Sequence, residues 1–172
     1  MIQQIEDIST TDLIKIYSQI LSELKERKVI RTKNLIGDMG ENLVVDYYNK
    51  TNGLPKLTIA PPGTKSIDAI CRDGKRYAIK STSSTLTGVF YGLNPPGSSE
   101  PNQQIFDYVI IALFGDNFNV KKIIELTWEQ FLKYKRWHST MSAWNLTITK
   151  QVLAEGKIVF NSELSSQNKN GA

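Results

Sequence analysis

The run Tyr108-Val109-Ile110-Ile111-Ala112-Leu113-Phe114 constrains the fold more than any other segment. It offers no polar face, which suits a β-strand covered on both sides. Elements around it can be read from spacing. Leu13, Ile16, Tyr17, Ile20, Leu21 and Leu24 recur at helical intervals behind Thr10 or Thr11 as cap, and that stripe is expected to pack on its own domain, with a partner subunit as the alternative. A second helix is predicted over Ile36 to Asn49, then a short strand over Leu57 to Ala60 ended by Pro61-Pro62-Gly63. Lys65 to Lys80 reads as a hairpin, Leu93 to Gln104 as a loop, and Gly115-Asp116-Asn117 as a turn into a strand near Val120 to Glu125. A last helix is predicted from its cap Thr127 to about Tyr134, and Ser162 to Ala172 is a polar, frayed tail. The order α-α-β-β-β-β-β-α argues for an α/β fold, a central mixed β-sheet flanked by helices.

Composition excludes more than it assigns. The chain has 172 residues, 40% of them hydrophobic, enough for one domain with a real core. One cysteine, Cys71, rules out an internal disulfide framework and a Cys-rich zinc site, and His138 is the one imidazole. Cys71 is expected as an inert buried thiol and His138 as a surface histidine. The segment Met1 to Asp7 has neither a cationic flank nor an apolar run, and no stretch is long enough to cross a bilayer, so a soluble, cytoplasmic protein is expected. The net charge of +4 is compatible with nucleic acid without establishing it.

Arithmetic on the hairpin gives a sharper result. A two-residue Asp73-Gly74 turn would put Ile67, Ala69 and Cys71 on one face with Arg76, Ala78 and Lys80, mixing core with charge. A three-residue loop, Arg72-Asp73-Gly74 with Gly74 left-handed, sets Cys71 against Lys75 and Asp68 against Ala78. Ile67, Ala69, Cys71, Tyr77 and Ile79 then share an apolar face, while Asp68, Ile70, Arg72, Arg76, Ala78 and Lys80 share the other. A one-residue slip would invert both sets, so the segregation favours the bulged register. Asp68 and Lys80 then project from one face, either as a plain salt bridge or as a site for a divalent cation and a phosphodiester.

Glu41 lies on the second helix with Gly37, Val44, Val45 and Tyr48 within about 60° of it. A carboxylate on a packed face must be satisfied. Either Asp38 caps the helix and Glu41 reaches back in a capping box, or Glu41 reaches a metal near Asp68.

The runs Gly40-Glu41, Ser66-Ile67-Asp68-Ala69-Ile70 and Tyr77-Ala78-Ile79-Lys80-Ser81 together resemble the PD-(D/E)xK nuclease superfamily, the restriction-endonuclease-like fold. The resemblance spans about residues 35 to 126 and implies one restriction-endonuclease-like domain over residues 1–161. The helix within 1–28 would be a possible dimer contact and 162–172 a flexible tail. It implies Mg²⁺, or Mn²⁺, held by Asp68, Glu41 and the Ile79 carbonyl, with Lys80 orienting water or stabilising the phosphate. Catalytic residues would be Asp68, Lys80 and Glu41. The family's second acid falls at position 78, which is alanine here. Either Glu41 replaces it, or the fold persists without cleavage as a nucleic-acid- or protein-binding module.

Further contacts to double-stranded DNA are expected from Lys65, Ser81 and Thr82, which flank the hairpin strands. Lys133, Lys135 and Arg136 are expected to add more, from a stretch mixing cations with aromatics. That stretch also reads as the solvated end of the Thr127 helix. Trp137 and Trp144 are expected as core or hinge residues. The function implied is a Mg²⁺-dependent DNA endonuclease, restriction-like, with a homodimer as its expected assembly.

Overall fold

The computed structural model describes residues 5–30, 35–61, 63–115 and 118–163. The expected turn residues Asp116 and Asn117, Pro62, and the tail from 164 onward lie outside them. After a 3₁₀ turn at Ile5–Asp7, the first helix, α1, spans Thr10–Glu26. Its cap is Ser9, one residue before the expected threonines, with Ser9 Oγ accepting from the Asp12 N–H at 3.2 Å. No residue of α1 is buried, and Ile14 (64%) and Tyr17 (57%) stand exposed. The expectation that its stripe packs into the domain is therefore corrected. Within the stripe Ile16, Tyr17 and Ile20 are exposed, and Leu13, Leu21 and Leu24 are only half-buried.

Helix α2 spans Leu35–Lys50. The strands that follow are β1 (Leu57–Ile59), β2 (Ala69–Cys71), β3 (Arg76–Thr82), β4 (Tyr108–Phe114) and β5 (Val120–Thr127). Next come α3 (Trp128–Tyr134), β6 (Lys135–His138), β7 (Ala143–Leu146), α4 (Lys150–Glu155) and β8 (Lys157–Asn161). The main sheet runs β1-β2-β3-β4-β5-β8, parallel between β3 and β4 and antiparallel elsewhere, so it is the mixed sheet expected.

Strand β4 is buried on both faces, as its composition demands. Ile110, Ala112 and Phe114 pack with Val44 and Tyr48 of α2, and with Ala69, Cys71, Tyr77 and Ile79. Val109 and Ile111 face the opposite cluster of Phe90, Phe106, Trp128, Phe131, Leu146 and Val152. Parallel neighbours need a crossover connection, and helices usually supply it. Here the connection 83–107 is irregular, and it covers the sheet by burying Phe90 and Phe106.

Thr127 caps α3 as expected, in a full capping box with Gln130. Lys135 to His138 is not the solvated end of that helix. It forms β6, which pairs with β7 so that Trp137 opposes Trp144 at a ring separation of 5.2 Å. This settles both tryptophans as packed residues, in a two-stranded sheet the sequence did not announce.

Candidate functional site

The hairpin adopts the three-residue loop. Ala69 opposes Tyr77 and Ile70 opposes Arg76, while the Cys71 N–H donates to the Lys75 carbonyl at 3.0 Å. Gly74 sits at φ 74°, where a side chain would be strained, and its N–H closes the turn on the Cys71 carbonyl at 3.0 Å. Cys71 is a buried free thiol. The register fixes the site: Asp68 continues β2, donating its N–H to the Tyr77 carbonyl at 2.8 Å. The Ile79 N–H in turn donates to Asp68 Oδ2 at 2.7 Å, so the neighbouring strand's backbone clamps the carboxylate. N–H and C=O of one strand residue point to the same edge, so the Ile79 carbonyl also faces the Asp68 side.

Asp68 and Lys80 line one cleft of about 620 Å³ with Lys65, Ser66, Ala78, Val89, Phe90, Tyr91, Gly92 and Ile105. Lys80 Nζ lies 5.3 Å from the Phe90 ring centroid. Among the described residues no ion pair joins it to Asp68, so the plain salt bridge is not what holds the two groups. Ser66 adopts φ 61°, a strained conformation for a residue with a side chain, and its Oγ donates to the Tyr91 carbonyl at 3.2 Å. That bond ties the Lys65–Asp68 approach to the opposite wall.

The other residues expected to act lie elsewhere. Glu41 is on α2, whose buried residues pack on the Tyr77 and Ile79 side of the sheet, and it is not among the residues lining the cleft. Ser81 Oγ is also turned toward α2, buried beneath Gly40 without a hydrogen-bond partner among the described residues. Thr82 is buried and donates to the Leu86 carbonyl at 2.8 Å. Lys133 is engaged by both oxygens of Glu155, at 2.7 and 2.8 Å. Lys135 Nζ stands 3.2 Å from the Trp144 ring centroid, and burial lowers its pKa. Arg136 is exposed on β6. The half-buried His138 accepts the Met141 N–H on Nδ1 at 3.2 Å.

Sequence reasoning missed the wall formed by Val89, Phe90 and Tyr91. Phe90 is fixed by backbone hydrogen bonds to Trp144, at 2.6 and 3.3 Å, and packs on Phe106 and Phe131. An apolar triplet between Gly88 and Gly92 is the available signal, since such bracketing marks short extended segments.

As a cation site, the cleft offers one carboxylate with one oxygen already bonded, and a backbone carbonyl. Among the described residues no three His, Cys, Asp or Glu side chains converge. Mg²⁺ commonly binds through one or two carboxylates plus substrate phosphate oxygens and water. The donor set therefore fits one ion shared with a phosphate and does not fit a pair. No described helix is long and apolar enough to cross a membrane. No protein-family model matches the chain, and no curated protein shows significant similarity to it.

Proposed function

We propose that the chain is a metal-dependent DNA endonuclease of restriction-endonuclease-like fold. The observation that carries this reading is the convergence of Asp68 and Lys80, from adjacent antiparallel strands, in one cleft without an ion pair between them. An acid and a cation that neutralise each other would be structural. Here Asp68 is oriented by the Ile79 N–H and Lys80 by an aromatic ring, which leaves both heads available to a ligand.

Asp68 and the Ile79 carbonyl would hold Mg²⁺ or Mn²⁺. The bound ion would offset charge on the attacked phosphate and make water a better nucleophile. Lys80 places a second positive charge where negative charge grows on the phosphoryl oxygens, and Lys65 at the mouth draws the backbone in. The location proposed is the cytoplasm and the substrate is DNA. The exposed α1 stripe supports a homodimer, which light scattering of the intact chain tests through its mass.

The decisive experiment is plasmid cleavage in Mg²⁺ and in Mn²⁺. Wild type should cut, and Asp68→Asn and Lys80→Ala should each lose about 10²–10³-fold in rate. Glu41→Gln should cost far less than Asp68→Asn, because α2 packs on the other face of the sheet. Unchanged cutting by Asp68→Asn would overturn the site.

Ala78 favours a second reading. It is 2% exposed on the cleft wall, where the nuclease pattern asks for an acid. A fold that binds nucleic acid without cutting would show salt-dependent DNA affinity and no cleavage in either metal.

A further inference from the structure

The walls of the cleft are chemically unequal. One side carries charge: Asp68, Lys80 and the exposed Lys65. The facing side is apolar and aromatic, with Phe90 locked into the core and Tyr91 54% exposed beside it. The Tyr91 backbone is anchored, because its carbonyl accepts the Ser66 hydroxyl and its neighbour Phe90 is bonded to Trp144 through its backbone. Gly92, at φ 81°, turns the chain immediately after it.

A paired duplex presents phosphates and sugars to such a cleft, and its base faces stay stacked inside the helix. The charged wall suits that surface, but the aromatic wall gains nothing from it. An unpaired base, in contrast, offers a π-face to Tyr91, a contact that tolerates any sequence because every base has one. A volume of about 620 Å³ lies within the range of sites for small ligands and has room for one nucleotide.

We infer that this cleft takes its DNA strand with the nucleotide unpaired, the phosphate held between Lys65 and Lys80 and the base stacked on Tyr91. The inference rests on the DNA-cleaving site proposed above and specifies the form of its substrate. The strand enters single, or with one nucleotide turned out of a duplex at the cost of its pairing and stacking. Tyr91 is then a specificity-determining residue that acts by stacking.

Fluorescence anisotropy on the intact chain tests this, with Ca²⁺ in place of Mg²⁺ to hold back turnover. The probes are a labelled 12-nucleotide oligodeoxythymidine and a matched 12-base-pair duplex. Wild type should bind the single strand about tenfold or more tightly than the duplex. Tyr91→Ala should lose about tenfold or more in single-strand affinity, and Tyr91→Phe, which keeps the ring, should retain it. Thermal melting of each variant checks the fold, which a change at this exposed position should leave intact. Equal affinity for the two probes, or single-strand binding unaffected by Tyr91→Ala, overturns the inference. The two claims fail separately. Tyr91-dependent single-strand binding without any cleavage would sink the endonuclease and keep the stacking site. Asp68-dependent cleavage with binding indifferent to Tyr91 would do the reverse.

Discussion

A buried hydroxyl without a hydrogen-bond partner weakens a fold unless something else requires it, and among the described residues Ser81 Oγ is in that position beneath Gly40. The glycine is what lets α2 lie so close to β3, since a Cβ there would collide with the Ser81 side chain. Gly40→Ala should therefore destabilise by about 1–3 kcal/mol through overpacking. Ser81→Ala removes a desolvated hydroxyl and keeps the packing, so it should be neutral or stabilise by up to about 1 kcal/mol. Urea unfolding of both variants measures these, and a large loss in Ser81→Ala would reveal a partner for the hydroxyl. Because Ser81 points toward α2 and Lys80 toward the cleft, Ser81→Ala should also leave DNA affinity unchanged. Asp68 shows the opposite economy. One carboxylate oxygen takes the Ile79 N–H and sets the orientation of the other.

At the scale of elements, the hairpin and α1 stand at two extremes. The hairpin's register is held by Gly74 at φ 74° and by the segregation of Ala69, Cys71, Tyr77 and Ile79 into the core. Gly74→Ala should cost about 1 kcal/mol or more, because alanine must adopt the left-handed region there. The variant's chemical denaturation midpoint should fall with an unchanged slope. Helix α1 has its cap and an i,i+4 ion pair, Arg27 to Glu23 at 2.6 Å, but buries no residue. In proteins most helical stability comes from tertiary packing of an apolar face. In hydrogen exchange of the dilute monomer, α1 amides should exchange orders of magnitude faster than those of β4. Protection of α1 equal to that of β4 would mean that its stripe is covered.

Across the whole molecule, what could be read from the sequence was what alternation and periodicity encode. The hairpin register, β4 and the Thr127 cap each follow from neighbours a few residues apart. Where Lys133 to Trp137 leaves α3 for β6 was not legible, because the pairing of Trp137 with Trp144 and the anchoring of Phe90 on Trp144 are tertiary facts. The same holds for the cleft: Asp68 and Lys80 could be placed together by counting, whereas Tyr91 arrives through a connection with no periodic pattern. Asp107 belongs to this non-local class. It joins the starts of the parallel strands β3 and β4, with its Oδ2 accepting from the Arg76 N–H at 2.8 Å and the Arg76 Nε at 3.1 Å. Its own N–H returns a bond to the Arg76 carbonyl at 2.8 Å. Burial pushes the Asp107 carboxyl up, but the Arg76 hydrogen bonds and charge outweigh it, so its pKa lies below the usual range. A depressed carboxylate stabilises the fold above the unfolded pKa of about 3.9, and that contribution is lost as pH falls through the lower folded value. The pair is partly exposed, so its worth is discounted to about 1 kcal/mol. Asp107→Asn should then lower Tm by about 2–4 °C at pH 7, with the gap closing as pH drops below about 4. A gap that persisted undiminished at pH 2 would assign the loss to the geometry of the β3–β4 junction and remove the charge from the account.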